Sequence, residues 1–414
     1  MPDDLRARRV GGGRAHRGDC VIGDDVPAVV LGGHTSGLAV IRALGSAGVP
    51  VIAVGASLDE PGQSSRYCSR AVVAPHPEDD VRGFVDFLLA LANGDGRPLL
   101  VPTSDETVAA VARHKPRLEE AYTVACMDRT VVEGFLDKWK TLELAQRLDV
   151  PAPLTFTPES EADLERRREE LVYPCLVKPR ESHVFFRVFG KKMDMVEGFD
   201  ELLAAWRAAD AAGIRVMVQE FVPGPDSHAV NYNAYVWDGR ILVACTAQRL
   251  RSVPPHVGFP RVVVSRSVPE VAEPAARLLA GMGISGFANV EFKKDERDGA
   301  YKLMEVNGRH NMSAHLSVRC GVNFPAIEYD HRIRGVVPHV ERFSTGVYWI
   351  NFPSDVVQGL RSRKRERYGL RDQLRPYLRP HVFDMLSTTD PRPFAASLRA
   401  RFERLARRLG ASAG

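Results

Sequence analysis

The chain has 414 residues, of which 44% are hydrophobic and 26% charged, with a formal net charge of +4. That length is too great for one ordinary core and predicts two or three packed units. No apolar run approaches 18 residues, which excludes a membrane-spanning helix. The charge is unevenly spread: Val356 to Gly414 carries +9 and the remainder −5. Within that basic end, Leu398, Phe402, Leu405 and Leu409 recur at helical spacing. They predict a solvated helical face rather than a nucleic-acid surface. The six cysteines, Cys20, Cys68, Cys126, Cys175, Cys245 and Cys320, form no C-x-x-C pair. Reduced core cysteines of a cytoplasmic protein are expected.

Residues 1–26 hold scattered arginines and Gly11-Gly12-Gly13 without an apolar stretch, so a disordered leader is expected instead of a secretory signal. Pro27 to Val54 reads as strand, turn, helix, strand, with Gly32, Gly33 and Gly37 in the turn. Leu99 to Pro102 and Tyr122 to Val124 read as later strands of the same parallel α/β unit, 27–128. The glycines depart from G-x-G-x-x-G, and no acid follows Val51 to Val54, which disfavours a dinucleotide site.

Asp137 to Leu148 reads as a helix, Val172 to Val177 as a strand leading to Lys178, and Phe199 to Ala211 as an amphipathic helix. Arg215 to Glu220 is a strand that turns at Pro223-Gly224-Pro225. Asp238-Gly239 marks a hairpin between Asn231–Trp237 and Arg240–Ala247. A longer loop joins Phe287–Lys293 to Ala300–Val306. Antiparallel strands and helices therefore fill 129–340, unlike the first unit.

Glu305, Asn307 and Arg309 alternate along or just past one strand, opposite Glu291 on its neighbour. Alternate residues share a face. Two carboxylates and an amide oxygen are hard ligands suited to magnesium beside phosphate oxygens. Arg309 offers a planar fork for phosphate or carboxylate. Lys140 and Lys178 are point charges suited to phosphates. The strand end Gln219 to Gly224 exposes backbone groups that can pair with adenine, with Glu220 accepting from its amino group and Asp226 taking ribose hydroxyls.

Taken in order, Lys140, Lys178-Pro179, Gln219-Glu220-Phe221-Val222-Pro223-Gly224, Glu291 and Glu305-Val306-Asn307-Gly308-Arg309 resemble the ATP-grasp superfamily over about Pro27 to Val336. The carboxylate–amine ligase branch, with its D-aspartate ligase-like enzymes, is most similar, through Gly32-Gly33, Ser65-Arg66-Tyr67-Cys68, Pro102 to Glu106 and Asn307 to Pro325. The resemblance implies a Rossmann-like parallel-sheet domain at 27–128, an α+β ATP-grasp domain at 129–340 hinged near 220–226, and a helical basic extension at 341–414. It implies ATP with magnesium or manganese. Lys140 and Lys178 would hold phosphates, Glu220 with the backbone of Phe221 and Val222 the adenine, Asp226 the ribose, and Met304 would pack on the base. Glu291, Glu305 and Asn307 would carry the metal, and Arg309 would stabilise charge as a carboxylate attacks the γ-phosphoryl group. An amine would then displace phosphate from the acylphosphate.

The family usually has proline where Gly308 stands, so the backbone before Arg309 is expected to be looser. Residues 180–192 read either as a phosphate lid carrying Arg187, Lys191 and Lys192, or as a plain hairpin. Arg249 and Arg251 face either a substrate carboxylate or solvent. His310, His315 and Arg319 read as structural sooner than as an acceptor pocket. Expected partners are a small carboxylate and an amine, without nucleic acid or membrane, with homodimerisation left open. A purine-type ligase, a carboxylase and a non-catalytic nucleotide-binding module remain alternatives.

Overall fold

A computed structural model describes residues 26–92, 96–180, 182–256, 258–362, 369–399 and 403. The expected leader and the stripe residues Phe402, Leu405 and Leu409 lie outside them. The chain divides into two compact units. The first takes the chain through Cys126, Phe259–Ser265 and the chain from Arg309 onward; the second takes Met127–Gly258 and Arg266–Gly308. No helix among the described residues is long and apolar enough to cross a membrane.

The first unit opens with β1 (Ala28–Leu31), β2 (Val51–Gly55), β3 (Arg70–Val73), β4 (Leu99–Pro102) and β5 (Thr123–Val124). All neighbours pair in parallel, in the order β3-β2-β1-β4-β5. The unbroken apolar runs explain this: β1 and β4 are buried along their whole length, as strands covered on both faces must be. Ile41 and Leu44 of helix Thr35–Ser46 and Tyr329 of helix Phe324–Arg334 pack into that core. The chain reverses direction across the sheet between β1 and β4, which is where open α/β sheets place ligands.

In the second unit β6 (Thr155–Phe156), β7 (Cys175–Pro179), β8 (Asp194–Val196) and β9 (Val216–Glu220) form an antiparallel sheet in the order β6-β9-β7-β8. β10 (Ala229–Trp237) and β11 (Arg240–Val253) follow as the hairpin the Asp238-Gly239 pair predicts. Both turn residues take positive φ, 49° and 70°, as a type I′ turn requires. The chain gives β12 (Phe259–Ser265) to the first unit, then returns with β13 (Gly286–Lys294) and β14 (Tyr301–Asn307). Within the second unit the antiparallel order runs β14-β13-β10-β11.

Two expectations change. Residues 182–189 are not the strand of a plain hairpin but a helix, Ser182–Phe189. Phe185 and Phe189, four apart, meet with ring centroids at 4.6 Å, and Phe185 is buried against Val177, Val196 and Leu202. The C-terminal part is not only helical. β15 (Tyr348–Ile350) pairs with β12, and β16 (His381–Phe383) pairs with β15, because Tyr348-Trp349-Ile350 is a wholly buried apolar run. Residues 384–390 are locked to the N-terminal sheet's first helix. Asp390 accepts from Arg42 Nε at 2.9 Å, Ser65 Oγ at 2.7 Å and the Arg66 amide at 2.9 Å.

Candidate active site

The register of β10, β13 and β14 sets two rows of polar side chains across one face. Asn231, Glu291 and Glu305 form one row; Asn233, Asn289 and Asn307 form the next. The opposite face is apolar, with Val230, Tyr232, Val290, Phe292 and Val306 buried. A bulge shapes β14: Leu303 pairs with Phe292 and Glu305 with Glu291, so Met304 is the extra residue. Without it, Leu303 and Glu305 would share a face. The bulge sends leucine to the core and glutamate to the polar side.

Cations surround the carboxylates. Arg249 Nη2 lies 2.7 Å from Glu291 Oε2, and Lys138 pairs with Glu305. Lys138 opens helix Lys138–Arg147, whose start is pinned to the end of β7. The Lys138 amide donates to the Arg180 carbonyl at 3.2 Å, and Asp137 accepts from Arg180 Nε at 3.0 Å. Lys178, buried on β7, donates to Gln219 Oε1 at 3.0 Å. Burial and then the neighbouring Lys138 bring its ammonium down to about 8, against the pull of Glu305 and Glu291. Lys192 is also lowered, by burial first, with Glu305 and Glu291 opposing. Burial pushes the Glu305 carboxyl up, but Lys138, Lys192 and Lys178 outweigh it and hold it at about 2. Glu305 is therefore an anion at any physiological pH.

Lys140 is exposed and stands outside this cluster. Two residues on a helix are about 200° apart, so only one of Lys138 and Lys140 can face inward, and it is Lys138. No His, Cys, Asp or Glu group of three or more is placed to hold a metal among the described residues. The protein thus offers two carboxylates and amide oxygens, a partial shell of hard ligands that phosphate oxygens would complete. That donor set fits magnesium.

At the end of β9, the Glu220 carboxylate is already engaged. Oε1 accepts from the Leu154 amide at 3.0 Å and Lys302 Nζ at 2.9 Å; Oε2 accepts from Arg297 Nη2 at 2.9 Å. Burial pushes its pKa up, and these donors bring it below the ordinary value. The Val222 carbonyl accepts from buried Lys293 at 2.7 Å, and that ammonium lies 4.7 Å from the Phe221 ring centroid. Asp226 accepts from the His256 amide at 2.8 Å. Met304 is half-buried at the bulge.

Arg309 belongs to the first unit. It forms a two-pronged pair with Asp105, Nε to Oδ1 at 2.6 Å and Nη2 to Oδ2 at 3.0 Å. Asp105 begins helix Asp105–Arg113, just past β4. Gly308, which precedes Arg309, stands against an aromatic ring. A Cβ there would sit 2.5 Å from Phe135 Cζ, so glycine lets the Phe135 ring close on the chain. His310 and His315 are held neutral, burial lowering them to about 3 and about 4. Arg251 is buried, which removes it from the solvated strand, and Arg249 faces Glu291. Lys138, Asn231, Asn233 and Asn289 were not singled out from the sequence. The signal for the asparagines is period-two spacing, Asn231-x-Asn233 and Asn289-x-Glu291.

The model of the family described as "ATP-grasp in the biosynthetic pathway with Ter operon" matches residues 215–350. A D-aspartate ligase of Enterococcus faecium is 26% identical over 290 residues, covering 66% of this chain and 68% of that one. A D-alanine--D-alanine ligase of Stutzerimonas stutzeri is 24% identical over 335 residues, covering 75% and 92%. The crystal structure of an L-amino acid ligase from Bacillus licheniformis superposes with a TM-score of 0.59 at 17% identity, covering 76% of this chain and 78% of that one.

Proposed function

We propose that the chain is an ATP-grasp enzyme, an ADP-forming ligase that joins a carboxylate to an amine, with an amino acid as one substrate. The observation that carries this reading is the paired carboxylates Glu291 and Glu305, ringed by Lys138, Lys178, Lys192 and Arg249. Such a ring suits a metal–triphosphate. The three similar proteins named above are all amino-acid ligases, which supports an amino-acid substrate here.

Lys178 and Lys138, with Lys192, hold the phosphates. The backbone of residues 220–222 meets the adenine edge, Met304 lies on its face and Asp226 takes the ribose. Glu220, tied to Lys302 and Arg297, keeps the hinge backbone in place. Glu291, Glu305 and Asn307 hold magnesium, which when bound supplies positive charge to the phosphate oxygens. A substrate carboxylate oxygen attacks the γ-phosphorus, and the bond to the β-phosphate oxygen breaks to leave ADP. The amine nitrogen then attacks the acyl carbon, phosphate leaves and the amine loses a proton. Arg309, oriented by Asp105, supplies a fixed cation for substrate carboxylate or phosphoryl oxygens.

The test is ADP release by purified protein with pairs of amino acids, with mass spectrometry of the products. The expected result is ADP and one condensed product only when magnesium, the acid and the amine are all present. Nucleotide binding without turnover for every pair would contradict it and favour a non-catalytic module.

A further inference from the structure

Asn307 can serve a metal through only one end of its amide. The oxygen is a ligand; the NH2 group repels a cation. Something must decide which end faces the metal, and the row in which Asn307 stands supplies it. Asn289 lies directly across from Asn307, and Asn233 directly across from Asn289. All three are nearly inaccessible, Asn289 completely so. Asn289 Nδ2 donates to Asn233 Oδ1 at 3.2 Å, which turns the Asn289 oxygen the other way. That oxygen is buried without a hydrogen-bond partner. An unsatisfied buried acceptor is costly, and a native fold keeps one where a partner arrives. Cross-strand neighbours have Cβ atoms roughly 5 Å apart, within reach for amide to amide.

We propose that Asn289, set in turn by Asn233, is a positioning residue that accepts from the Asn307 NH2 group and so presents the Asn307 oxygen to the metal. The relay runs Asn307 to Asn289 to Asn233, each amide donating to the next. It deepens the ligase reading, since it rests on Asn307 being a metal ligand. It also explains why a strand interior tolerates two buried amides where an apolar pair would pack.

The experiment reads metal binding rather than turnover. Manganese binding is titrated by electron paramagnetic resonance, with and without a non-hydrolysable ATP analogue, on folded protein. Wild type should bind manganese in a nucleotide-dependent way. Asn289→Ala should weaken that binding by about 10- to 100-fold, the usual range for a group that orients a ligand. Metal-free nucleotide binding should stay within about twofold, because the row touches only the metal end. In an Asn307→Asp background, Asn289→Ala should cost little, since a carboxylate has no NH2 group to orient. Equal losses in both backgrounds would mean a structural role and overturn the relay, as would wild-type affinity in Asn289→Ala. If that variant does not fold, Asn233→Ala should still weaken manganese binding several-fold, and an unchanged affinity there also overturns it. Failure of wild type itself to bind nucleotide-dependent manganese would refute the ligase reading instead.

Discussion

Glu305→Gln separates the two tasks assigned to this residue. In the free protein Glu305 is the counter-charge to Lys138, Lys192 and Lys178. In the loaded protein it is a metal ligand. Its carboxyl is held at about 2, against an ordinary glutamate near 4.3. At 1.36 kcal/mol per pH unit this gap corresponds to roughly 3 kcal/mol. The side chain is still 35% exposed, so solvent screening reduces the figure to the order of 1 to 2 kcal/mol. The sign follows from linkage: a depressed carboxyl stabilises the fold above about pH 4 and loses that contribution as pH falls toward 2. At pH 7 the contribution is complete, so the swap should lower the melting temperature by a few degrees. Metal-free nucleotide binding should hold or tighten, because the lysines lose a competing anion. Magnesium should no longer strengthen it, and turnover should disappear. Calorimetry for melting and fluorescent-nucleotide titration in chelator and in magnesium read all three. Weaker metal-free binding together with an intact magnesium effect would refute the assignment of Glu305 to the metal.

Three further outcomes follow. Lys178 is protonated below about 8 and neutral above, and bound phosphate favours the protonated form. Nucleotide affinity should therefore fall toward tenfold per pH unit above 8, with one proton taken up on binding; Lys178→Arg should flatten the profile, and an unchanged slope would remove Lys178 from the phosphate site. Gly308→Ala forces a Cβ toward the Phe135 ring and should cost about 1 to 3 kcal/mol in urea unfolding; a neutral effect would mean the ring yields freely. Asp390→Ala strands the buried Arg42 guanidinium and should cost about 3 to 5 kcal/mol, so a loss below about 1 would show the clamp to be incidental.

Local pattern carried much of the fold. Unbroken apolar runs such as Ala28–Leu31 identified the parallel strands, and Asp238-Gly239 identified the hairpin, because burial and turn geometry are short-range demands. Helix Phe199–Ala211 matches its periodicity residue for residue. The helix at 182–189 is carried by its spacing, since Phe185 and Phe189 sit four apart on one face. Membership of β12 and of the chain past Arg309 in the first unit depends on long-range packing that no local window contains. At the site, the alternation of Glu305 and Asn307 was legible as one strand face. Lys138 was not, because a helix start fixes which of two lysines turns inward only once Asp137 and Arg180 pin it. Nor was the bulge at Met304, which depends on register with β13. The asparagine row was present in the spacing, yet it takes the pairing of three strands to align it.

In the proposed reaction a substrate carboxylate attacks the γ-phosphoryl group. Once a productive amino-acid pair is found, the carboxylate donor is prepared with both oxygens as 18O and turned over with ordinary ATP. The expected products are ADP and inorganic phosphate carrying one 18O, transferred from the carboxylate when the amine displaces it. Unlabelled phosphate, or release of AMP and pyrophosphate in place of ADP, would contradict that reaction.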